Sequence, residues 1–74
     1  MTKLPVVSGR EVIKALGKLG YYVRGQEGSH VHLRHSQRRP LTIPDHKEIA
    51  KGTLRAIIRE TELTVDEFRR LLYS

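Results

Sequence analysis

Residues 29–35 alternate strictly, with Val31, Leu33 and His35 on one side and His30, His32 and Arg34 on the other. A strand sends successive side chains to opposite faces, so this segment is half-buried, apolar toward a core and polar toward solvent. Two turn-forming tracts flank it, Gly25-Gln26-Glu27-Gly28 before and Ser36-Gln37-Arg38-Arg39 after. Beyond these lie Tyr21-Tyr22-Val23 and Pro40-Leu41-Thr42-Ile43, rich in residues that favour strands. Three strands joined by short turns make an antiparallel meander. Its apolar face has to be covered, and only the two ends of the chain can supply the cover.

Both ends read as helix. Ser8 and Glu11 form a capping-box pattern, and Val12, Ile13, Leu16 and Leu19 then recur at helical spacing, with Arg10, Lys14 and Lys18 on other faces and Gly20 as the stop. After Pro44 ends the third strand, residues 45–51 form a connector with room for one helical turn. A second helix opens at Gly52-Thr53 and carries Leu54, Ile57 and Ile58. A second capping-box pattern, Thr64 with Glu67, starts a short last helix bearing Val65, Phe68, Leu71 and Leu72. The expected fold is therefore α+β, in the order α-β-β-β-α with a short additional C-terminal helix. Helices cover one face of a three-stranded antiparallel sheet, an architecture shared by double-stranded-RNA-binding domains, and the other face stays open.

Size limits what such a fold can do. A chain of 74 residues reads as a single domain, 1–74, and buries only ~60% of its unfolded surface. It has no room for a deep cavity or a separate cofactor domain, so no cofactor is expected and a substrate has to be held on the surface, which suits a polymer. There are no cysteines, which removes disulfide and zinc-finger frameworks. No apolar run approaches the ~18 residues of a membrane span, and the apolar stretch in residues 1–8 is too short for a signal peptide. The expectation is a cytoplasmic protein with no membrane partner. Fourteen Lys and Arg against eight Asp and Glu leave a net charge of +6. Such an excess suits a polyanion, because basic side chains near phosphates release counterions. An acidic protein partner accounts for the charge equally well.

The chain has four histidines, His30, His32, His35 and His46. RNA transesterification or hydrolysis needs a base for the 2′-hydroxyl, an acid for the departing 5′-oxygen and positive charge for the transition state. Histidine beside Arg or Lys meets those needs near neutral pH. In Gly28-Ser29-His30 the glycine lets a polymer approach the backbone, and the serine hydroxyl and nearby N–H groups can bind a phosphate oxygen. Alone, the triplet fits a histidine lining a solvated sheet edge better than a catalytic one. His30, His32 and His46 also resemble a three-ligand zinc set. Against it, no acidic residue lies within 29–35 and Arg34 shares the strand face, so no metal is expected. Arg34, Arg38, Arg39 and Lys47 read either as a solvated hairpin or as a phosphate track. Tyr21 and Tyr22 are candidates for stacking on bases, with one of the pair turned to the core.

Taken together, these segments resemble the HicA (YcfA-like) family of mRNA interferase toxins. The matching pieces are residues 8–16, Leu19-Gly20-Tyr21, Gly28-Ser29-His30, Arg34-His35, Ile43-Pro44-Asp45-His46, residues 51–58 and Thr64-Val65-Asp66-Glu67-Phe68. Gly-Ser-His, Pro-x-His and Lys-Gly-Thr-Leu are specific in combination. The resemblance implies a domain that cleaves mRNA without a metal and is held inactive by a HicB antitoxin. It makes His30 the catalytic residue and places His46 on the Pro-x-His position and His35 on the histidine closing the second strand. Gly28, Ser29, His32, Arg34, His46 and Lys47 are the candidate RNA-binding residues, and the free protein is expected to be a monomer. Two positions depart from the family pattern. Gly25-Gln26 stands where the family often has Arg-Gln, with Arg24 displaced by one, and His32 replaces a commonly apolar residue. The alternative reading is an RNA-binding domain that does not cut.

Overall fold

In the computed structural model, which describes residues 3–74, Ser8 caps helix α1 (Gly9–Gly17). Met1 and Thr2, on which the reading of residues 1–8 partly rests, lie outside the described residues. The capping box forms as the spacing requires: Glu11 N–H donates to Ser8 Oγ at 3.1 Å and Ser8 N–H to the Glu11 carboxylate at 2.9 Å. The exit turn closes with Gly20 N–H on the Gly17 carbonyl and Tyr21 N–H on the Leu16 carbonyl, both at 3.1 Å. Gly20 has φ +109°, and this paired closure over a left-handed residue is the reason a glycine ends the helix.

Strands β1 (Tyr22–Glu27), β2 (His30–Arg34) and β3 (Leu41–Pro44) form one antiparallel sheet in the order β1-β2-β3. The expected turn at 25–28 is corrected. β1 runs on through Glu27, and the turn is the pair Gly28-Ser29. Gly28 supplies the positive φ (+57°) that a two-residue hairpin turn requires at its first position. The other glycine marks a β-bulge: Val23 pairs with Leu33 and Gly25 with His32, which leaves Arg24 as the extra residue. β3 lies one residue later than expected and includes Pro44, which an edge strand tolerates. The connector holds bends and no helical turn, and helix α2 (Lys51–Thr61) starts one residue earlier than read. Helix α3 (Val65–Tyr73) has the second capping box, with Thr64 N–H on the Glu67 carboxylate at 2.8 Å and Glu67 N–H on Thr64 Oγ1 at 3.1 Å. Hydrogen bonding to the Thr64 backbone N–H, and then to its side chain, holds the Glu67 carboxyl below its ordinary range.

Val31, Leu33, Leu41 and Ile43 turn inward from the sheet to meet Val12, Ala15 and Leu16 of α1 and Leu54, Ile57 and Ile58 of α2. Phe68 of α3 is fully buried in the same core. Lys18 ties α3 to the exit of α1, its ammonium donating to the carbonyls of Leu71 and Ser74 at 2.7 Å. The helices thus occupy one face. The outward residues of the sheet, among them His30, His32, Arg34 and Thr42, are left uncovered, as the alternation predicts. No described helix is long and apolar enough to cross a membrane.

Candidate functional site

Three segments meet at one end of the sheet. The Gly28-Ser29 turn sets Glu27 opposite His30, and His30 opposite Pro44. Gln26 braces the turn from its side chain, donating to the Gly28 carbonyl at 3.0 Å. The loop leaving β3 is stitched back by its backbone. Asp45 N–H donates to the Ser29 carbonyl at 2.6 Å, Gly9 N–H to the His46 carbonyl at 2.9 Å, and Ile49 N–H to the Val7 carbonyl at 2.8 Å. His30, exposed at the start of β2, therefore shares this end with exposed His46 and Lys47. Arg10 adds an exposed ion pair to Asp45 at 3.4 Å.

The open face continues from His30 along β2. His32 is half-buried and uses both ring nitrogens, Nε2 on the Glu27 carboxylate at 3.0 Å and Nδ1 on Thr42 Oγ1 at 3.2 Å. Arg24, Glu27, His32, Arg34 and Thr42 line a shallow hollow of about 440 Å³. The bulge accounts for Arg24. A bulge sets two residues against one, so Arg24 and Gly25 together face His32. Arg24 thereby lines the open face beside Glu27, His32 and Arg34. Exposed Tyr22 pairs across from Arg34.

Of the residues singled out in the sequence, Gly28, Ser29, His30, His32, Arg34, His46 and Lys47 fall on this face or this end. Others do not. Arg38 leaves the supposed phosphate track, because its guanidinium donates to the Thr61 carbonyl at the last turn of α2, where a cation satisfies unpaired carbonyls. His35 is a structural side chain. Its Nε2 bonds the Leu19 carbonyl at 2.9 Å, and its Nδ1 accepts from the N–H groups of Gln37 and Arg38 at 3.0 and 3.1 Å. Tyr21 is the inward member of the tyrosine pair. It packs on the His35 ring at 4.8 Å between centroids and donates its hydroxyl to the Arg39 carbonyl at 2.9 Å. Burial raises its pKa above the ordinary tyrosine value, an effect that Arg38 partly offsets. Glu27 was not singled out in the sequence. Reading it as part of a four-residue turn hid its place opposite His30, which a two-residue Gly-Ser turn would have revealed. Glu27 also supplies the carboxylate that the zinc reading lacked within β2. Among the described residues, however, no group of three or more His, Asp and Glu side chains converges to hold a metal ion.

No curated protein sequence matches the chain. One solved chain, from a toxin–antitoxin complex of Streptococcus pneumoniae, is 34% identical, with 77% of this chain and 98% of that one covered at a TM-score of 0.68. The sequence profile of the HicA toxin of bacterial toxin–antitoxin systems matches residues 9–63. That span runs from the first residue of α1 to just past α2 and takes in the turn, the open sheet face and the loop bearing His46. The chain belongs to the HicA toxin family.

Proposed function

We propose that this protein is the toxin of a type II HicA/HicB pair, an endoribonuclease that cleaves mRNA with His30 and without a metal in the chemical step. The observation that carries the reading is the position of His30. It is solvent-exposed, it follows the glycine-led turn of a family member's Gly-Ser-His, and it lies where the loop bearing His46 and Lys47 is fastened. A surface site of this shape suits a polymer drawn across it, in keeping with the net charge of +6. Gly28 and Ser29 admit and bind a phosphate, while Arg34, His46 and Lys47 hold the strand around it.

A HicB-like antitoxin is the partner that silences the protein, and covering His30 is the direct means of doing so. A relative in a solved toxin–antitoxin complex supports that partnership. The free protein acts as a monomer in the cytoplasm.

The test is expression of the wild type and of His30→Ala in growing cells, with purified protein incubated alongside labelled single-stranded RNA. The wild type is expected to arrest growth and cut RNA, the variant to do neither, and co-expressed antitoxin to restore growth. An alanine variant that still cleaves overturns the role of His30. RNA binding without cleavage products across neutral pH identifies a non-catalytic RNA-binding domain instead.

A further inference from the structure

We propose that Glu27 is the second proton-transfer group of this site, the general base that works with His30 as general acid, and that His32 positions its carboxylate. The proposal rests on the RNA-cleavage reading above.

Glu27 and His30 are backbone partners flanking the two-residue turn. Residues directly opposed across an antiparallel pair point to the same face, with Cβ atoms ~5 Å apart. A carboxylate and an imidazole so placed bracket an atom held between them. His32, two residues along β2, lies on the same face and engages Glu27 through Oε1. Because its other ring nitrogen is bonded to Thr42, His32 has no free nitrogen to offer a substrate. It acts through Glu27, as a positioning residue. The Glu27 side chain is 85% exposed, and an exposed pair of this kind adds little to folding. Its charge would repel RNA were it isolated, but Arg24 and Arg34 line the same hollow. The other titratable groups near this end are His46, Lys47 and Glu48 on the loop, with Asp45 paired to Arg10.

The chemistry balances with these two groups alone. The Glu27 carboxylate takes the proton of a ribose 2′-hydroxyl as the O2′–P bond forms. The P–O5′ bond breaks, and the His30 imidazolium gives its proton to the departing 5′-oxygen. The products are a 2′,3′-cyclic phosphate and a 5′-hydroxyl. Glu27 is left protonated and His30 neutral, and one proton exchanged with water resets the pair.

The experiment measures single-turnover cleavage of an RNA oligonucleotide against pH, and binding of the same oligonucleotide with a 2′-deoxy sugar at the cleaved position. The wild type is compared with His30→Ala, Glu27→Gln, His32→Ala and His32→Gln. Glu27→Gln is expected to lose about 100-fold in rate, to lose the ascending limb of the pH profile, and to bind the deoxy oligonucleotide at least as tightly as the wild type. His32→Ala is expected to lower the single-turnover rate with binding of the deoxy oligonucleotide unchanged, and His32→Gln, which keeps a donor for the carboxylate, to recover part of the loss. Wild-type rates in Glu27→Gln, or equal losses of rate and binding, overturn this proposal while a dead His30→Ala leaves the ribonuclease reading intact. Cleavage by His30→Ala at the wild-type rate, or none by the wild type, overturns both.

Discussion

Gly9 lies so close to the Pro44 carbonyl that a Cβ built on it would collide with the oxygen and press on the Asp45 Cα. Its φ is not positive, so space rather than backbone freedom demands the glycine there. The contact matters because Gly9 N–H also holds the His46 carbonyl, which makes this the joint between α1 and the loop at the His30 end.

Gly9→Ala is therefore expected to destabilise the protein by about 3 kcal/mol, since neighbouring backbone can yield only by moving. Urea unfolding measures the loss. In the fraction that remains folded, the amide resonances of residues 45–49 should shift while those of α3 stay in place. An alanine variant of wild-type stability would show that the two segments are not tightly joined.

The two histidines at the opposite ends of β2, His30 at its start and His35 just past its last residue, should separate cleanly. The His30 side chain is exposed and makes no hydrogen bond among those described, so His30→Ala should leave stability within about 0.5 kcal/mol of the wild type. His35→Ala would strand the Gln37 and Arg38 N–H groups and the Leu19 carbonyl, at a cost of about 2–3 kcal/mol. The bonding pattern also fixes the neutral tautomer, with the proton on Nε2, because Nδ1 accepts two N–H groups. Long-range nitrogen–proton NMR correlations report it directly. A proton on Nδ1 would contradict the arrangement.

Much of this was legible in the sequence, and what was not has local physical causes. Both capping boxes, the inward faces of β2 and β3 and the covered and open sides of the sheet follow from periodicity and spacing. The β1–β2 turn was misplaced because Gly25 and Gly28 both permit a turn, and only cross-strand pairing shows that one serves a bulge and the other the turn. That shift is what concealed Glu27 and Arg24. Arg38 was misread because a cation in a polar loop looks the same whether it meets phosphate or the carbonyl of Thr61 some twenty residues on. Such long-range partners leave no local trace.

Helix α3 lies beyond the family-matched residues 9–63, yet it completes the core. Phe68 is fully buried. Its truncation to alanine is expected to cost about 3–5 kcal/mol, the same class of loss as a substitution within the matched span. Chemical denaturation of Phe68→Ala tests this, and a loss under about 1 kcal/mol would mean that α3 is an appendage rather than part of the fold.

The start of that helix should give stability a defined pH dependence. Hydrogen bonds from the Thr64 backbone and then its side chain hold the Glu67 carboxyl below its ordinary value. A carboxyl depressed in the folded state binds protons more readily when unfolded. Its contribution is thus present above the ordinary glutamate range and lost as the pH falls through the lowered folded value. Glu67→Gln keeps a side-chain acceptor for the Thr64 N–H but removes the charge and its titration. The urea midpoint of the wild type should exceed that of Glu67→Gln at neutral pH, and the gap should close in strongly acidic solution. Because Glu67 is exposed, the effect is small, and parallel measurements on both proteins at each pH are needed to resolve it. A gap that is constant across the acid range would show that the capping box contributes through geometry alone, without the carboxylate's charge.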